Sequence, residues 1–148
     1  MANLITNTKL VNNERKLIIK YSELCDGTSA TNVTTIVDVS DSAFNSIRGR
    51  AMTAVVIDKI YIFPGIGTVT GDQVSGHIEW ATSSGVEVPI TNIAADYQNT
   101  SGSTFDFSHF GGLTKEGANA NGDIKLDVAG MGTGQGYSFV LEMRKIYA

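Results

Sequence analysis

The chain has 148 residues and carries 11 Lys and Arg against 15 Asp and Glu, a net charge of -4. It contains 16 Gly, 15 Thr, 12 Ser and 10 Asn but only 2 Pro, with 42% apolar and 18% charged residues. That balance is too apolar for a disordered chain, too poor in strong helix formers for a bundle and too acidic for a nucleic-acid-binding face.

Residues 1–14 read as a polar N-terminal arm, with a short strand expected at Thr8–Val11. Met1–Asn7 lacks a basic segment followed by an apolar stretch, so no leader peptide is expected. No apolar run approaches the roughly 18–20 residues of a membrane span, so no membrane partner is expected. Residues 15–148 read as one domain, since no Pro- or Ser-rich linker interrupts them.

Arg15–Leu24 alternates, with Leu17, Ile19 and Tyr21 on one face. That period of two marks a half-buried strand. Asp26–Ser29 is turn chemistry. Asn32–Val39 is rich in β-branched residues and predicts a strand with Val33, Thr35, Val37 and Val39 on one face. Ser40–Arg50 is the one segment with helix signals, capped by Ser40, stopped near Gly49 and placing Ala43, Phe44 and Ile47 together. A turn-rich loop fits the same residues.

Ala54–Phe63 predicts the strongest strand, ended by Pro64-Gly65. Gly76–Ala81 and Val86–Ile90 read as a pair joined by Thr82–Gly85, and Ser103–Phe107 as a short aromatic strand. Gly122–Ala129 turns Ile124, Leu126 and Val128 inward. Tyr137–Tyr147 does the same with Phe139, Leu141 and Met143. About eight strands at close spacing, with at most one short helix, exclude parallel βαβ units. An all-β fold follows, with sandwich, jelly roll and barrel all open.

No residue set spells out a catalytic motif. His77 and His109 lack a second histidine at ligand spacing, and zinc normally takes three or four ligands. The run Gly65–Gly71 follows a strand but precedes no helix, and Gly130–Gly136 is followed by no P-loop lysine, so both read as loops. Asp123 and Asp127 lie about 13 Å apart along one strand. Asn119–Asp123 lacks the twelve-residue pattern of a calcium loop. Cys25 stands alone and reads as a small buried residue. Trp80, Tyr97, Phe105, Phe107 and Phe110 are candidates for a glycan-binding face. The expectation is a protein with no enzymatic activity and no cofactor.

The order of segments resembles a group of small tailed-bacteriophage virion structural proteins. The resemblance is carried by Arg15-Lys-Leu-Ile-Ile-Lys-Tyr21, Asp26-Gly-Thr28, Val37-Asp-Val-Ser40 and Val56-Ile-Asp-Lys-Ile-Tyr61. It continues in Trp80-Ala-Thr82, Thr104-Phe-Asp-Phe-Ser-His-Phe-Gly-Gly-Leu113, Gly122-Asp-Ile124 and the closing Tyr137–Tyr147. The stretches Phe63–Gly76 and Ile90–Thr104 are longer than that group's usual turns. The resemblance implies an antiparallel β-sandwich of jelly-roll type and a role as a capsid decoration, or cement, protein. The major capsid protein is then the expected partner, and a homotrimer on the outside of a virion made in the host cytoplasm the expected assembly. A tail, knob or fibre-associated protein and a glycan-binding jelly roll are the competing expectations. Leu4, Ile5, Leu10 and Val11 of the arm, with Val140, Ile146 and Tyr147 of the last strand, are the expected interface residues. Val140 and Ile146 share their face with Ser138, Glu142 and Arg144, a mixture suited to an interface.

Overall fold

The computed structural model describes residues 3–25, 30–63, 73–96, 103–116 and 119–148. Where apolar and polar residues alternate, strands form: β1 (Leu4–Asn12), β2 (Lys16–Leu24), β3 (Ala30–Val37), β4 (Met52–Ile62), β5 (Gln73–Thr82), β6 (Val88–Asp96), β7 (Ser103–Asp106), β8 (Ala120–Met131) and β9 (Gly136–Tyr147). The turn expected at Asp26–Ser29, the Gly65–Gly71 run and Tyr97 lie outside the described residues.

The strands build two antiparallel sheets, a larger one ordered β1-β2-β9-β4-β7 and a smaller one ordered β3-β8-β5-β6. The pairings nest. β5 pairs with β6, β4 with β7, β3 with β8 and β2 with β9. This is one long hairpin, folded back at the β5–β6 turn and then rolled. Rolling brings β9 against β4 and β8 against β5, which closes each sheet. The result is the strand order of an eight-stranded jelly roll. β1 is added outside it, against β2.

Both sheets feed one core. The larger gives Leu17, Ile19, Tyr21, Phe139, Leu141 and Met143, and the smaller gives Ile78, Trp80, Ile93, Ile124, Leu126 and Val128. Tyr21 and Phe139 stack at 5.4 Å between ring centroids. Each such side chain contributes about 1.5–3 kcal/mol by leaving water.

Three local expectations fail for identifiable reasons. In β3 the register against β8 shifts between Thr35 and Val37. The shift swaps faces, so Val33 is exposed while Ile36 and Val37 are both buried. The helix expected over Ser40–Arg50 is a single 3-10 turn at Ser42–Phe44, capped by Asp41 rather than Ser40. Asn45 leaves helical geometry at ψ 156°, and Ser46 and Arg50 then close a tight turn, their backbones bonded at 2.9 Å. Of the three residues expected to share a face, Phe44 is buried while Ile47 is 92% exposed. The short strand expected at Thr8–Val11 extends over Leu4–Asn12, because β2 offers a complete pairing edge to it.

Gly76 shows how tightly β5 and β8 approach. A Cβ there would lie 2.3 Å from the Asp127 carbonyl oxygen and 2.8 Å from Val128 Cα, both backbone atoms that cannot swing away. Replacing a strand glycine by alanine ordinarily gains about 0.5–1 kcal/mol of backbone entropy. Here the clash dominates, and Gly76→Ala is expected to destabilise the protein by about 2–4 kcal/mol in denaturant titration.

Candidate functional site

β1 pairs on one side only, with β2. Among the described residues no strand pairs with its other edge, and its residues are exposed apart from half-buried Val11. Leu4, Ile5 and Leu10 are 62%, 52% and 53% exposed. Natural sheet edges are usually blunted by charges, proline or bulges. β1 has one bulge, between Lys9 and Val11, and Lys9 sits 4.0 Å from Asp41.

The pairing register places the other expected interface residues. Leu4 opposes Leu24, Val11 opposes Ile18, and Val140 lies between Lys20 and Tyr61, all on the outer face of the larger sheet. Ile146, opposite Ala54, is on that face too and is 40% exposed. Ile5 and Tyr147 are on the inward-facing side. Tyr147 packs against the core, and its hydroxyl donates to the Glu14 carbonyl at 2.8 Å. The structure therefore gathers Leu4, Val11, Val140 and Ile146 on one face and separates Ile5 and Tyr147 from them. Charges on that face pair within the sheet: Lys16 with Glu142 at 3.4 Å, and Arg144 with Asp58 at 2.9 Å.

At one end of this face Leu4, Thr6, Ser22, Leu24, Tyr137 and Ser138 line an open groove of about 270 Å³. Beneath it Glu23 is buried and accepts from Asn3 Nδ2 at 2.7 Å, from Asn32 Nδ2 at 2.7 Å and from the Tyr137 hydroxyl. Burial, reinforced by that bond to Glu23, pushes the Tyr137 hydroxyl far above its ordinary range. The cluster ties the start of the arm to both sheets, since Asn32 belongs to β3 and Glu23 to β2.

The run Thr104–Leu113 is a docking turn on the opposite edge. Asp106 accepts from the Ser108 amide at 2.9 Å and starts a 3-10 turn at Ser108–Phe110. Arg144 donates to the Gly111 carbonyl at 2.6 Å, and Leu113 bonds Ile57 in both directions. Gly112 adopts φ +92°, where a Cβ would meet Val56 Cγ1 at 2.3 Å. The motif thus fixes backbone geometry. Of the described aromatic candidates, Trp80 is 1% exposed in the core, Phe105 stacks on Phe107 at 6.5 Å, and Phe110 projects outward at 85% exposure.

Several other candidates take structural roles. Asn121 Oδ1 accepts from the Asp123 amide and Asp123 Oδ1 from the Val39 amide, so these oxygens brace a turn. The Gly130–Gly136 run makes the β8–β9 turn, where Gly134 and Gln135 bond the backbone of buried Cys25 at 2.8 Å. Arg50 binds the Ala148 carbonyl at 2.7 Å. His109 lies on the docking turn, where it is exposed.

His77 is different. It sits on the outer face of the smaller sheet, beside Glu79 on β5 and opposite Asp127 on β8. Ligand atoms of the three lie within 4.8 Å of one another. His77 Nε2 approaches Glu79 Oε2 at 3.3 Å. His77 and Asp127 stand fifty residues apart in the sequence, and Glu79 belongs to no motif there. The two-residue step from His77 to Glu79 was a usable signal for a shared strand face. Asp127 needs the β5–β8 register, which no local pattern reveals. Burial raises the Glu79 carboxyl above its usual range; His77 and Lys125 oppose that shift, while Asp127 and Glu87 add to it.

No protein-family model, curated protein or solved structure matches the chain.

The Glu79 shift sets a sign. Folding raises this carboxyl's pKa, so the ionised form is disfavoured in the native state. That penalty is absent below the unfolded pKa and complete above the native one. Glu79→Gln, in EDTA-containing buffer, is expected to match the wild-type melting temperature near pH 4. At pH 7.5 it should melt above wild type, since the ionised carboxyl then carries the burial penalty.

Proposed function

We propose that the chain is a non-enzymatic virion structural protein of a tailed bacteriophage, a decoration protein that binds the outer capsid surface and stabilises the head. The observation that carries this reading is β1, a nine-residue edge strand. Among the described residues no strand pairs with its outer edge, and Leu4, Ile5 and Leu10 are more than half exposed. A free edge with exposed apolar side chains suits addition of a partner strand or arm, in which main-chain bonds give affinity and side-chain pockets give specificity.

The proposed occupant of that edge is a segment of the major capsid protein. The face around Val140 and Ile146 is the proposed contact between copies, which assemble as a trimer. The order of sequence segments supports the phage reading, and the rolled topology supplies a scaffold in which both sheets share one core. A place on the tail, knob or fibre would use the same edge and differs in location on the particle. The glycan-binding alternative is weakened, since Trp80 lies in the core.

Leu4→Lys/Leu10→Lys puts two charges on exposed positions and should leave the circular dichroism spectrum unchanged. Cosedimentation with capsids lacking the endogenous protein should show saturable binding of wild type and at least tenfold weaker binding of the double variant. Undiminished binding of the variant would overturn the role assigned to β1.

A further inference from the structure

The outer face of the smaller sheet carries a donor set unlike any other among the described residues. Glu79 points away from the core, yet it is only 5% exposed. Its close polar contact among the described residues is His77 Nε2 at 3.3 Å. Asp127 adds a second carboxylate across the strand pair. Lys125, opposite Glu79 on β8, is ion-paired to Glu87 at 2.8 Å, and Glu87 Oε2 also takes the Thr82 amide at 2.6 Å. Among the described residues, two carboxylates and an imidazole therefore converge where the facing lysine is ion-paired to a third carboxylate, and the Glu79 carboxylate is nine-tenths buried.

We propose that His77, Glu79 and Asp127 form a binding site for a divalent transition-metal ion of the zinc class. Zinc holds imidazole nitrogen and carboxylate oxygen at ~2.0–2.2 Å, which in a tetrahedron sets ligand atoms about 3.4 Å apart. His77 Nε2 and Glu79 Oε2 already stand at 3.3 Å. Asp127 closes the third side by a side-chain rotation within the 4.8 Å spread of the set. The nitrogen donor selects zinc-class ions over magnesium and calcium, which take oxygen ligands. The His77 side chain is 40% exposed, which gives an ion a path in and leaves a fourth position for water. β5 and β8 supply all three ligands, so a bound ion cross-links the central pair of the smaller sheet. The site stands independently of the capsid reading.

The test is calorimetric titration of the EDTA-treated, desalted full chain with zinc chloride, and separately with calcium chloride. One zinc per chain is expected, with micromolar or tighter affinity. His77→Ala and Asp127→Asn should each weaken it at least tenfold. His109→Ala is the control and should bind as wild type does. Zinc at a hundredfold excess over Kd should raise the melting temperature of wild type by about 5 °C or more, and that of His77→Ala by much less. Because these side chains lie on the solvent side of the sheet, retained circular dichroism separates lost ligation from lost folding. Absence of saturable zinc binding, wild-type affinity in His77→Ala, or a preference for calcium would each overturn the proposal.

Discussion

The pairing of β2 with β9 holds the larger sheet together. It runs without a break from Lys16 opposite Arg144 to Leu24 opposite Gly136. β9 also pairs with β4 along its other edge, so it stands in the middle of the larger sheet. Removing β9 would separate β1 and β2 from β4 and β7. It would also take Tyr137, Phe139, Leu141 and Met143 out of the core. The nested pairs make most ladders long-range in sequence, and such topologies fold slowly because loop closure precedes the contacts that reward it. β1 is the exception: it lies next to β2 in sequence, on the outside, and little in the core depends on it.

Strands buried on one face and wetted on the other were legible in the sequence. β2, β8 and β9 alternate cleanly, and Leu17, Ile124 and Phe139 lie where that alternation puts them. What failed was phase. A bulge in β3 moved Val33 outward, and a second register shift between Ile57 and Lys59 in β4 lets Ile57 and Ile60 both face inward. Bulges add a residue without a compositional mark, so a strict period of two steps over them. The helix signal at Ser40–Arg50 lost to local competition: Asp41 and Ser46 side chains bond backbone amides and favour turns.

The polar cluster was legible only in part. A histidine and a glutamate two residues apart declare a common face, but Asp127 enters through register, and register is set by the whole sheet. The near-complete burial of Glu79 on an outward face was equally hidden, since it depends on neighbouring strands. The same holds for Gly112, whose necessity comes from Val56 and Arg144 on other strands.

The body closes on itself around β9, and the proposed role makes the β1 edge its surface for a partner. A cryo-EM reconstruction of the virion tests this most directly. The proposed role places the chain on the outside of the head, with β1 seated against the major capsid protein. A chain located on the tail, or on the head with β1 facing solvent, would contradict it.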